Sequence, residues 1–327
     1  MKRAFKTIHF ISVLLILGGF FFMFYGLASA DTIVNRDITK NAHWTVKRSP
    51  YLVYEIVRVK DGATLKIDPG VTVKFALGTG MDVAGKLIAH GNPDTPITFT
   101  SIYDGAENIG TPMAGDWYGL SVRGSGSVLK HVRIKYAGRS DFMGYPHAFS
   151  LLLNGRDVHC TNSEVIDGAG NGVWLLYYYA GLFHNNTIQR HAENGMLMTH
   201  SFADLFKNTI ERNRGNGIEI DSRVNFHGNV VRWNEMSGVF LDTLQAPEIH
   251  DNDIYGNLDS GIKVEKGYPR IHHNKIHQND VGVWIKMNWP ILVSFNNLFG
   301  NLSYGIRVEG FNAKYSGVRA ENNWWGG

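Results

Sequence analysis

The sequence predicts an all-β chain wound as a single-stranded parallel β-helix, a solenoid of about 10–11 coils, from three observations. A glycine opening an alternating run recurs seven times, at Gly172, Gly195, Gly217, Gly238, Gly261, Gly282 and Gly305, in steps of 21 to 23 residues. An asparagine with an aliphatic residue one or two positions on keeps the same beat at Asn186, Asn208, Asn229, Asn252, Asn274 and Asn297. Within each run the apolar residues alternate, as in Ile218 with Ile220 or Ile262 with Val264, which is the period of a strand with one face inward.

Each coil follows from that arithmetic. Roughly 22 residues holding three short strands, at about 3.3 Å per residue, close one turn, and neighbouring turns sit about 4.8 Å apart. A unit of this size cannot bury its apolar edge alone and does so by stacking on its neighbours. The asparagines are expected to stack at one corner, where side-chain amides satisfy turn backbone that would otherwise be buried unpaired. The glycines are expected at another corner, where a side chain would be strained.

The phrase from Ile271 to Ile285, IHHNKIHQNDVGVWI, resembles the generic repeat of right-handed parallel β-helix proteins of the pectate-lyase-like superfamily. The resemblance covers most of the chain and implies a right-handed coil. It does not single out one activity, because that superfamily includes polysaccharide lyases, hydrolases, epimerases, phage tailspikes, adhesins and a periplasmic accessory protein for copper-enzyme maturation.

In chain order, residues 1–30 read as a signal peptide, the alternative being an uncleaved membrane anchor, since the apolar run approaches a spanning length. Lys2, Arg3 and Lys6 precede an apolar run from Ile8 to Tyr25, and Ala28-Ser29-Ala30 follows as a cleavage site. The mature chain is therefore expected to be periplasmic or secreted, with no membrane span after cleavage. Residues 31–50 alternate imperfectly and read as an N-terminal cap that blunts the open end of the solenoid, and residues 51–327 read as the β-helix domain. Strict alternation between Gly and Pro punctuation marks strands from Tyr51 to Ser101. Two polar, glycine-rich excursions, from Ile102 to Asp116 and from Gly138 to His147, leave the coil, and loops of this kind often border a binding surface.

Composition narrows the function. The formal charge of +3 includes the three basic residues of the leader, so a nucleic-acid partner finds no support. Cys160 is the single cysteine, so no intramolecular disulfide forms. The glycines belong to the repeat rather than to a phosphate or dinucleotide loop, and Gly124-Ser125-Gly126-Ser127 is a turn rather than a nucleophile elbow.

Chemistry is sought on the outward face. The second residue after each marker glycine gives the column Trp174, Leu197, Glu219, Phe240, Lys263, Trp284 and Arg307; the fourth gives Leu176, Thr199, Asp221, Asp242, Glu265, Lys286 and Glu309. Asp221, Asp242 and Glu265 with Lys286 are the candidate catalytic group. Trp174, Phe240, Lys263, Trp284 and Arg307 are the candidate sugar-binding strip, with aromatic faces for pyranose rings and cations for uronates. The three carboxylates are also a candidate calcium site. The same residues read equally as a solvated charge ladder.

Two residues before the asparagines runs a second column of His184, Phe206, His227, His250, His272 and Phe295. His227, His250 and His272 are candidate ligands for a transition metal, or simply flat rings in a stack with phenylalanine. The chain thus reads as an exported β-helix that binds polysaccharide or cell-envelope glycan, with lyase, epimerase or hydrolase activity open. A non-enzymatic envelope scaffold and periplasmic copper handling are the alternatives.

Overall fold

The computed structural model describes residues 31–105, 110–286, 291–310 and 317–326; the expected signal peptide at 1–30 lies outside them. All the strands pair in parallel, and the chain is a right-handed β-helix of about twelve turns. One wall is a 12-stranded stack running from Thr32–Val34 to Asn297–Phe299. The other two walls merge into one sheet because strands such as Asn171–Tyr179, Met196–Phe206 and Ile218–His227 run around the corner between them. Helix is confined, among the described residues, to the 3-10 turns Val46–Arg48 and Phe142–Gly144.

The turn count exceeds 10–11 partly because the segment 31–50 itself completes a rung. Thr32–Val34 pairs with Tyr51–Val53, Ala42–Trp44 pairs with Thr64–Ile67, and Trp44 stacks on Tyr51 at 4.5 Å. Its strands are three residues long, too short to impose a visible alternation.

The core is a continuous column of inward aliphatics. Ile218, Val239, Ile262 and Val283 lie in register on successive turns and are fully buried. Each such side chain contributes about 1.5–3 kcal/mol by leaving water.

The asparagine ladder is built as expected, with one correction. Asn186, Asn208, Asn229, Asn252 and Asn274 each donate from Nδ2 to the Oδ1 of the next, at 2.9–3.2 Å. The sixth rung is Asn296, not Asn297, and it passes the chain on to Asn323. Each ladder residue follows one in the left-handed region (Asn185, Lys207, Gly228, Asp251, His273), and Phe295 with φ 55° holds that place before Asn296.

A second ladder runs five residues on, through Asn213, Asn234, Asn257, Asn279 and Asn301, again with Nδ2 to Oδ1 contacts of 2.9–3.2 Å. The marker glycines have a different cause from the one expected. Their backbone is not left-handed; a Cβ on Gly261 would instead lie 2.5 Å from Ile276 Cγ2 and 2.7 Å from the Gly282 carbonyl oxygen. Close approach between rungs, not dihedral strain, selects glycine there.

Candidate functional site

The outward column forms as read from the sequence. Trp174, Leu197, Glu219, Phe240, Lys263, Trp284 and Arg307 are register partners on consecutive turns. Their surroundings, however, divide them into three parts.

At the N-terminal end the excursion at 138–147 folds back over the wall. Phe142, Phe149, Leu152, Trp174 and Leu197 form a buried apolar cluster outside the main core, with Tyr145 packed against it. Trp174 is 3% exposed and donates from Nε1 to Thr199 Oγ1 at 2.8 Å. It therefore cannot serve as an open stacking platform, because the loop covers it.

At the other end Trp284 is flanked by cations of its own chain. Lys263 Nζ, Lys286 Nζ and Arg307 Cζ lie 4.3, 4.7 and 4.6 Å from the ring centroid. Since Lys263 precedes Trp284 on the stack and Arg307 follows it, both ring faces are engaged.

Between these ends lies a groove of about 580 Å³. Glu219, Phe240, Lys263 and Glu265 line its floor, and His147, Glu193 and Arg214 add titratable groups at its margins. His147 comes from the excursion and stands edge-on to Trp174 at 5.1 Å. Partial desolvation raises the Glu193 carboxyl above its usual range even though the residue as a whole is exposed, and the nearby His147 opposes the shift. Asn171 donates to Glu193 Oε2, while the buried Asn171 Oδ1 has no partner. Lys263 is held by Asp259 at 3.2 Å, and Glu219 accepts from Asn194 Nδ2 at 3.0 Å. Phe240, half-buried, remains the aromatic surface of the floor. His147, Glu193 and Arg214 escaped the sequence reading because they lie on turns and a loop rather than on the alternating strand.

The proposed catalytic carboxylates do not assemble. Asp221 lines a different groove, together with Tyr177, Tyr179 and Arg223. Asp242 is opposite Lys266 rather than Glu265, because the register slips after Leu241 and Val264. The pairs formed are Asp242 with Lys266 at 2.6 Å and Glu265 with Lys286 at 3.0 Å, and the Asp242 carboxylate holds Lys266 above its ordinary range. Among the described residues no three of His, Cys, Asp and Glu come together as a metal site.

The histidine column is a stack. His227, His250 and His272 lie at 5.0 and 5.1 Å centroid spacing with ring planes within 4°. Their Nε2 atoms contact Asp204, Asn225 and Glu248 respectively at 2.6–3.0 Å, so the nitrogens point to separate side-chain partners and not to a shared centre. The next rung is Ser294, and Phe295 stacks on His273 instead, as its left-handed corner position requires.

The fold resembles that of solved polysaccharide-processing β-helix proteins. The mannuronan C-5 epimerase AlgE4 A-module of Azotobacter vinelandii is 16% identical with a TM-score of 0.56, over 92% of this chain and 88% of that one. The periplasmic alginate epimerase AlgG is 11% identical with a TM-score of 0.50, over 90% and 76%. No curated protein sequence matches at a significant level. The sequence profile of one family does match, over residues 151–325, more than half of the chain and most of the regular array just described. On that match the chain belongs to the family described as periplasmic copper-binding protein (NosD).

Proposed function

We propose that this chain is a periplasmic protein that binds an extended glycan in the groove between His147 and Lys263. The observation that carries this is the groove itself. It is an open trough on an outward strand wall, with a half-buried aromatic ring, Phe240, between charged groups of both signs. Sugar rings present apolar faces and hydroxyl edges, and such a floor meets both. The polysaccharide epimerases that share the fold, and the family's description as periplasmic, support the ligand class and the compartment.

Turnover is a finer matter. Glu193, whose carboxyl desolvation raises above its usual range, and His147 both line the groove, and they replace Asp221, Asp242 and Glu265 as the first residues to test for proton transfer. Asp221 and Asp242 lie outside this groove, whereas Glu265 stays on its floor as a binding residue.

A glycan array, followed by titration of the retained sugar, tests the reading. Phe240→Ala should weaken binding by about tenfold, as loss of a stacking face does. Absence of any retained glycan, or a variant that titrates as the parent does, would sink it.

The family description favours copper as a second reading. The described residues do not fit a preformed copper centre: the imidazoles of the stack lie side by side, and the Cys160 thiol, fully buried, is pushed up to about 12. Metal analysis of protein purified without a histidine tag separates the two readings, because only the copper reading expects stoichiometric metal.

A further inference from the structure

We infer a second, independent binding strip on the wall around the corner from the groove, built for an acidic oligosaccharide. Beyond the bulges at Tyr177 and His200 the strands resume their alternation. Arg156, Tyr179, Phe202 and Arg223 then fall opposite one another on four consecutive turns. All four are exposed, Phe202 by 52% and Tyr179 by 37%. Large aromatic side chains in solvent on adjacent rungs are unusual for a wall whose other face is a dry core.

The order is cation, aromatic, aromatic, cation. Neither Arg156 nor Arg223 has a carboxylate partner among the described residues; Arg223 instead sits 5.3 Å over the Phe202 ring. The Tyr179 phenol is fixed by donating to the His200 carbonyl at 2.8 Å. Alongside lie Tyr177, 51% exposed, and His200, their rings 5.3 Å apart, so the aromatic surface is broader than the column itself. Of these residues Tyr177, Tyr179, His200 and Arg223 line a groove of about 530 Å³. Asp221 lines it too, so the groove itself holds one guanidinium and one carboxylate, and Arg156 adds the second cation at the other end of the column, outside that lining.

Three rungs at about 4.8 Å place the two arginines roughly 14 Å apart along the axis. A polymer lying along the solenoid would meet a guanidinium at each end of the strip and two ring faces between. Carboxylates at intervals along a chain of pyranoses match that order, since guanidinium binds carboxylate bidentately while aromatic rings take the sugar faces. A single-stranded nucleic acid offers the same charge sign, but the near-neutral chain lacks the broad basic surface such a ligand needs.

Calorimetric titration of the purified protein with an oligouronate of defined length tests this. The carboxyl-reduced, neutral form of the same oligomer and an oligothymidylate are run beside it. Arg156→Gln with Arg223→Gln, and separately Tyr179→Ala with Phe202→Ala, should each weaken the oligouronate by at least about tenfold. Binding should fall with added salt, and the neutral form should not bind the strip. Because these side chains are exposed, melting of the glutamine variant should match the parent, which keeps a loss of binding interpretable. Phe240→Ala should leave strip binding intact, so failure of the groove and failure of the strip are separately visible. Unchanged titrations in both double variants, equal affinity for the neutral oligomer, or tighter binding of oligothymidylate would overturn the inference.

Discussion

His191 heads the ladder that Asn213 continues. The backbone N–H of His191 donates to Asn213 Oδ1 at 3.0 Å, as that of Asn213 does to Asn234 Oδ1 at 3.1 Å. The imidazole Nε2 donates to the Val165 carbonyl at 3.0 Å, the role that Asn234 Nδ2 plays toward Ile210. An imidazole thus stands in for a carboxamide, and Nδ1 is left buried without a partner.

That substitution makes the fold acid-sensitive. Burial lowers the His191 pKa from 6.5 to about 4. Its folded value lies below its unfolded one, so the unfolded chain binds the extra proton. Stability from this residue is intact above pH 6.5, falls as pH drops toward 4, and changes no further below that. The span corresponds to about 3 kcal/mol. Melting temperature followed from pH 7 to pH 4 should fall less steeply in His191→Asn than in the parent. Equal slopes would refute the assignment.

A ladder interior is more demanding than its end. Asn252 accepts from the Asn229 backbone at 2.9 Å and donates to the Phe226 carbonyl at 2.9 Å and to Asn274 Oδ1. Asn252→Leu keeps the volume and strands these buried groups. The expected loss is about 2–5 kcal/mol, since each buried group left unsatisfied costs about 1–3. Urea unfolding measures it, and a loss under about 1 kcal/mol would show that water replaces the amide.

The alternating strands, the first asparagine ladder and the outward column could be read directly, because each is a one-dimensional period in the chain. The second ladder carried the same signal, an asparagine five residues after the first, but glycines and charged residues between them hid it. The sequence pattern points to Asn297 where the structure uses Asn296, because the left-handed corner at Phe295 is a backbone property with no fixed residue type. The fate of Trp174 depended on a loop folding back, and that of Asp242 on a slip of one residue. Neither leaves a periodic trace.

Glycine at the marker position can be tested against a glycine that has room. Gly261→Ala forces a methyl to within 2.7 Å of backbone oxygen, whereas nothing among the described residues lies within 4 Å of a Cβ at Gly317. The first change should destabilise by more than about 2 kcal/mol and the second by less than about 0.5. Comparable melting of the two variants would mean the rungs separate easily, contrary to a close-packed stack.

Calcium gives the remaining test, and it turns on the slip after Leu241. Had Asp221, Asp242 and Glu265 stacked, like charges roughly 5 Å apart would call for a cation. Instead Lys266 faces Asp242, Lys286 faces Glu265, and Asp221 looks into another groove. The lysines already supply the positive charge, and exposed pairs of this kind contribute little to stability. Millimolar Ca²⁺ should therefore leave the melting temperature unchanged. Asp242→Asn and Glu265→Gln should each shift stability by less than about 0.5 kcal/mol. A saturating Ca²⁺ effect, worth about 2.7 kcal/mol at a hundredfold excess over Kd, that disappears in the combined variant with Asp221→Asn would restore the three carboxylates as a metal site.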